Sequence, residues 1–288
     1  MINWPNSLVE EIASKRAILF LGSGISSSST NAAGLRPPSW KKLLEDAVAK
    51  FVTQPDDIRF VSELLQKELF LDAAEVVFDG VAHADRRVFF QDVFAVPRFS
   101  ASDYHAAIQA INAKIVITTN YDQLYEEQCG ALAAGRGYAV RKYNDRNILN
   151  DVRSKDNLIV KAHGCVNNTD ALVLTRSDYF KIKKEHWQFY NVLDSLLTVN
   201  TVVFLGCSMT DPDIQLVLEN TNIAASSDHT HYAVLPKGRH PALLRAMENS
   251  YNIKALEYDY DAGGGHSVLY DSLVDLKSRI DDVRTVLI

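Results

Sequence analysis

Six short apolar runs, each separated from the next by longer stretches, constrain this chain more than any other feature: 17–21 (AILFL), 114–118 (KIVIT), 158–161 (LIVK), 201–205 (TVVFL), 231–235 (HYAVL) and 253–256 (IKAL). β-Branched and aliphatic runs of this length, alternating with segments of helical period, predict an α/β fold: a parallel sheet covered by helices. The runs hardly alternate between apolar and polar residues, so both faces of the sheet are expected to be buried. Between the first two runs, 39–112 holds no convincing strand. Apolar residues there recur at three and four, as in Trp40, Leu43, Leu44, Ala47, Val48 and Phe51, and Ser39 stands as an N-cap after Pro37 and Pro38. This stretch predicts four or five helices, a helical insertion or small subdomain over one side of the sheet. A turn at 263–265 (GGG) and a final amphipathic helix over 268–283 complete the expected elements.

At 288 residues the chain has room for one large α/β domain or two small ones. Lys and Arg number 30 against 36 Asp and Glu, a net charge of −6, which supplies no electrostatic reason to expect direct nucleic-acid binding; a local basic patch stays open. The three cysteines, Cys129, Cys165 and Cys207, form no CxxC pair, so a four-thiolate zinc site is excluded and nothing suggests a disulfide framework. The first 16 residues lack the basic-then-apolar pattern of a signal peptide, and no apolar run approaches the roughly 18 residues of a membrane span. A cytoplasmic address without a membrane partner is expected.

Four strand ends carry chemistry. Gly22-Ser23-Gly24-Ile25-Ser26 follows the first run, where glycines let backbone approach a phosphate and free N–H groups receive its charge. A dehydrogenase fingerprint would want a third glycine, yet position 27 is Ser, and the chain continues through Asn31 and Gly34 to Pro37 rather than directly into a helix. A plain turn is the other reading. Thr118-Thr119-Asn120-Tyr121-Asp122 ends the second run, and its Asn and Asp suit either a ligand or the N-cap of a helix over 123–129. His163-Gly164 ends the third, a histidine either structural or facing a ligand. Gly206-Cys207-Ser208 ends the fourth, before Asp211-Pro212-Asp213, a suitable helix start. Carboxyl ends of strands in an open parallel sheet line one crevice, and independent caps would not be expected to collect there.

In this order, GSGIS, TTNYD, HG and GCS, the chain resembles the SIR2 (sirtuin-like) superfamily of NAD-consuming enzymes, over nearly its whole length. The spacing and the long insertion look most like the SIR2-like proteins of bacterial anti-phage defence. The resemblance implies a Rossmann-like parallel sheet with helices on both faces, a single catalytic domain over 1–288 with a helical insertion at about 39–112. It implies Gly22, Ser23, Gly24 and Ser26 around the pyrophosphate and Thr119 among the dinucleotide-binding residues. Asn120 and Asp122 would lie near the nicotinamide ribose and carboxamide, His163 beside the ribose hydroxyls, and Gly206 with Ser208 on the adenosine side. Deacylating sirtuins carry a four-cysteine zinc module between HG and GxS, whereas 165–206 here holds only Cys165. No metal is expected, and water becomes the expected acceptor of ADP-ribose.

Cleaving the nicotinamide–ribose bond develops positive charge on the sugar, so the site must stabilise that centre and admit a water opposite the leaving group. Asn120 would orient the water or a ribose hydroxyl, His163 would accept a proton, and Asp122 would hold the nicotinamide amide or stabilise the charge. The expected activity is NAD hydrolysis to nicotinamide and ADP-ribose. A deacylase or ADP-ribosyltransferase sharing the pocket, and a non-catalytic nucleotide-binding scaffold, are the alternatives. An NAD hydrolase must be gated, and the last expected helix runs to the end of the chain. A homo-oligomer controlled by a HerA-like hexameric ATPase is therefore the partner arrangement that resemblance and length suggest.

Overall fold

The computed structural model describes residues 1–132, 137–209, 229–261, 263 and 265–287. Its strands are β1 (Ala17–Leu21), β2 (Ile115–Thr118), β3 (Tyr138–Lys142), β4 (Asn157–Lys161), β5 (Thr201–Leu205), β6 (His231–Pro236) and β7 (Ile253–Tyr258). They form one sheet in the order β3-β4-β2-β1-β5-β6-β7, with every neighbouring pair parallel. The chain starts at the centre with β1, adds β2, skips one place to the edge strand β3 and fills the gap with β4, then crosses to the other flank of β1 with β5, β6 and β7. Strand order thus reverses at β1, a Rossmann-like arrangement whose ligand crevice lies beyond the carboxyl ends there. Register brings those ends level: Leu21 lies beside Thr118 and Leu205, and Thr118 beside Lys161.

All six expected strands are present, 17–21 and 201–205 with the expected bounds and the other four shifted by one or two residues at one end. The seventh, β3, is absent from the sequence reading because it is an edge strand: its residues are half-buried or exposed, and YAVRK lacks the continuous apolar run that marked the others. In β1, β2 and β5 every residue is buried, as the lack of alternation predicts. Ile18 and Phe20 point to a core shared with α10 (Arg176–Glu185), α11 (Trp187–Val199) and α12 (Pro241–Tyr251). Leu19 and Leu21 point to the opposite core, shared with α1 (Asn6–Ala13), α7 (Asp103–Ile111), α8 (Leu124–Leu132) and α13 (Ser267–Leu287). The other α-helices among the described residues are α2 (Ser23–Ser26), α3 (Trp40–Phe51), α4 (Pro55–Gln66), α5 (Phe70–Phe78), α6 (His83–Phe94) and α9 (Ile148–Arg153). Among the described residues no helix is long and apolar enough to cross a membrane.

The stretch 39–112 forms five helices, and they do not all pack together. Ser39 caps α3 by accepting from the amide of Lys42 at 3.3 Å, as its position after the prolines suggests. Helices α3 to α6 bury Leu43, Leu44, Val61, Val77, Phe89 and Phe90 in a third core with Cys165, Val166, Leu172 and Leu174. Helix α7 instead lies on the sheet against α13 and α8. The segment beginning at Asp211, and Gly264 of the expected glycine turn, lie outside the described residues.

Candidate active site

The loop after β1 is built against β5. The amide of Gly22 donates to Leu205 O and that of Gly24 to Gly206 O, both at 2.9 Å. These two N–H groups, expected to face a phosphate, are therefore committed to the sheet. Close packing also explains the glycines: a Cβ on Gly22 would stand 2.5 Å from Gly206 O, and one on Gly206, at φ +66°, would stand 2.6 Å from the Ile25 nitrogen. One helical turn, α2, follows Gly22 directly, where the sequence suggests a longer non-helical run. It is held there by Ile25, 2% exposed, and by the buried Ser26.

The loop after β2 ties this turn to the next strand. Thr118 Oγ1 donates to Leu21 O at 2.9 Å and accepts from the Asn120 amide at 3.1 Å. Asn120 Nδ2 donates to Gly22 O at 3.0 Å and to Ser26 Oγ at 2.9 Å. Its donor is thus used within the protein, and Oδ1, which no described residue engages, is left to accept from a ligand or water. Asp122 is buried and borders the crevice, and its Oδ1 accepts from the amide of Leu124, the first residue of α8, at 3.1 Å, a turn that leads into the helix. Tyr121 also borders the cavity, and it is fixed by its hydroxyl, which donates to Val173 O at 2.6 Å, and by its ring, which meets Phe90 and Phe94 edge-on.

His163, 5% exposed, follows β4. Tyr179 of α10 meets its ring edge-on with centroids 5.2 Å apart, and the Tyr179 hydroxyl lies 3.5 Å from Nε2. Gly164 allows the chain to double back, since at φ +81° a Cβ would stand 2.3 Å from Ala171 O, and the Val173 amide then donates to His163 O at 3.1 Å. Tyr179 is a residue sequence reasoning missed. A tyrosine in a helix 16 positions downstream carries no local sign that it orients a histidine.

A cavity of about 620 Å³ opens over these loops, and every expected site residue except Gly24 lines it. The volume suits a nucleotide-sized ligand. Its far wall comes from the helical stretch: Pro37, Pro38 and Trp40 at the start of α3, and Leu69, Phe70 and Asp72 at the start of α5. Trp40 and Phe70 pack with ring centroids 5.5 Å apart. Two arginines stand at the rim: Arg176 Nε is 2.8 Å from Asp72 Oδ1, and Arg239 Nη2 donates to Ser208 O at 2.7 Å. Trp40 reads in sequence only as part of an apolar helix face, and the two arginines sit far from any motif. Among the described residues no group of three or more His, Cys, Asp or Glu is arranged to hold a metal.

Residues 114–256 match the SIR2-like domain family. NAD(+) hydrolase ThsA of Bacillus cereus (strain MSX-D12) is 24% identical over 253 residues, which cover 86% of this chain and 49% of that protein. Defense-associated sirtuin 2 of Bacillus subtilis is 24% identical over 217 residues, 73% of this chain and 20% of that protein. The chain thus spans about half the length, or less, of these relatives. Among solved structures, a crystal structure of a Sir2 homolog–NAD complex aligns over 98% of this chain and 96% of that one, at 12% identity and a TM-score of 0.45.

Proposed function

We propose that this chain, whose residues 114–256 match the SIR2-like domain, is an NAD glycohydrolase that cleaves NAD to nicotinamide and ADP-ribose and acts in anti-phage defence. The observation that carries the proposal is the meeting of Asn120, Asp122 and His163, from two strand ends, around one cavity bordered by the Gly22–Ser26 turn. The hydrolase names of the relatives support the same reading. Gly22, Ser23, Ser26, Thr119, Gly206 and Ser208 are proposed to hold the dinucleotide, with Gly24 shaping the turn behind them. With the amides of Gly22 and Gly24 engaged by Leu205 O and Gly206 O, Ser23 is proposed to supply donors to the pyrophosphate.

In the proposed step the C1′–N bond breaks and its electron pair leaves with neutral nicotinamide. Positive charge on the ribose is offset by the Asp122 carboxylate, fixed by its bond to the Leu124 amide. Asn120 Oδ1 accepts from the attacking water or a ribose hydroxyl, because its amide nitrogen is already anchored. As the water oxygen bonds to C1′, its proton passes to the His163 imidazole and then to solvent, so NAD and water give nicotinamide, ADP-ribose and a proton. The chain is proposed to act in the cytoplasm as one catalytic domain over 1–288, as a homo-oligomer gated by a HerA-like hexameric ATPase. Co-expression with such an ATPase should yield a co-purifying complex whose NAD consumption differs from that of the chain alone.

Product analysis by mass spectrometry tests the activity. Nicotinamide and free ADP-ribose are expected, and Asn120→Ala and His163→Ala should each abolish their formation with circular dichroism unchanged. Full activity in both variants would overturn the site, while an ADP-ribosylated protein or O-acyl-ADP-ribose product would replace hydrolysis by transfer.

A further inference from the structure

Directly beneath the Asn120–Asp122 loop sits a lysine that the proposed chemistry does not use. Lys161 is the last residue of β4, two positions before His163, and its side chain is 1% exposed. Its Nζ donates to the main-chain oxygen of Asp122 and lies 2.6 Å from Oε1 of Glu126, whose side chain is 8% exposed on the first turn of α8. Lys161 and Glu126 thus form a close, buried ion pair beneath the loop. Burial pulls the lysine's pKa down, but the nearby Glu126, with Cys165 and Asp122, outweighs it and the net shift is upward. Burial likewise raises the pKa of Glu126, opposed by the charge of Lys161.

A buried ion pair of this kind contributes little net stability, because desolvation offsets most of the attraction. Lys161 also donates to a backbone oxygen at the turn that carries Asp122 into α8. We infer that Lys161 is a positioning residue, pinning the Asp122 carbonyl so that the Asn120–Asp122 loop is held fixed against His163, with Glu126 as its counter-charge. Glu126 has a second consequence at this place. An uncompensated cation below the loop would oppose positive charge developing on a bound ribose, and the carboxylate cancels it. The inference rests on the proposed NAD reading for its effect on rate, but its structural half does not.

The test compares wild type with Lys161→Met/Glu126→Met, a double substitution that removes both buried charges together and avoids stranding either one. Two readouts are taken: steady-state NAD cleavage, and backbone hydrogen exchange. In the double variant kcat is expected to fall about 10- to 100-fold with KM changed less than about threefold, as for misplaced reacting groups. Amides of 120–124 are expected to exchange about tenfold faster, with β2 and β4 amides unchanged, the mark of a local opening. An unchanged kcat, an unchanged exchange rate at 120–124, or equal acceleration throughout the sheet would each overturn the positioning role. A wild-type protein that cleaves no NAD would instead sink the hydrolase reading, and exchange alone would then decide the role of Lys161.

Discussion

His231, at the start of β6, is held neutral by its surroundings. It is 3% exposed, its Nδ1 accepts from the Val202 amide at 3.1 Å, and burial together with His229 pushes its pKa down from 6.5 to about 4. The unfolded chain therefore takes up this proton first as pH falls, so stability is full above about pH 6.5 and declines toward pH 4. The loss from this group should reach about 3 kcal/mol. Denaturant titrations across that range should show it, and His231→Asn, whose side-chain oxygen can accept the same bond, should flatten the profile by a similar amount; an equally steep profile would refute the assignment. His105, whose pKa burial lowers against the pull of Asp122, adds to the slope in the same direction. Residues of this kind mark the limit of sequence reading. That Asn120, Asp122 and His163 converge on one crevice was legible because their short motifs stand at strand ends in a recognisable order. Lys161, Tyr179 and Trp40 were not, because each matters through a neighbour brought close only by folding.

Helices α3 to α6 are bound to the rest of the protein in two unequal ways. Ion pairs such as Arg176 with Asp72, 63% and 38% exposed, span from α10 to α5 at the cavity rim. Exposed pairs contribute at most about 1 kcal/mol, so a double-mutant cycle on Arg176→Gln and Asp72→Asn should give a coupling below that and shrinking with salt. Leu174, fully buried in the same core as Phe78, Phe89 and Phe90, carries far more. Leu174→Ala should cost about 2–5 kcal/mol in urea unfolding. A larger coupling for the pair than cost for the leucine would reverse this ranking. Period three and four made these helices readable in sequence, since each buries one stripe. Which of them pack together was unreadable: α7 carries the same period as α3 but lies on the sheet, a choice made by contacts with α13 more than 150 residues away.

At the scale of the whole molecule, reversal of strand order at β1 places the crevice between the two halves of the sheet, with the helical stretch as its outer wall. A ligand seated there contacts both halves and should stabilise all of them at once. For the His163→Ala variant, which should bind NAD without consuming it, NAD at 100 times Kd should add about 2.7 kcal/mol and raise Tm by several degrees. No shift at saturating NAD would count against the dinucleotide reading of the cavity. The same geometry bears on engineering and descent. Because the β1 loop hangs on the carbonyls of Leu205 and Gly206, and each glycine fills the space the other leaves, the two loops are a single interlocking part. A library that randomises one of them alone should be dominated by clones that do not fold. Grafts between homologues should work only when both loops travel together, so changes in ligand preference have freer scope on the helical wall opposite.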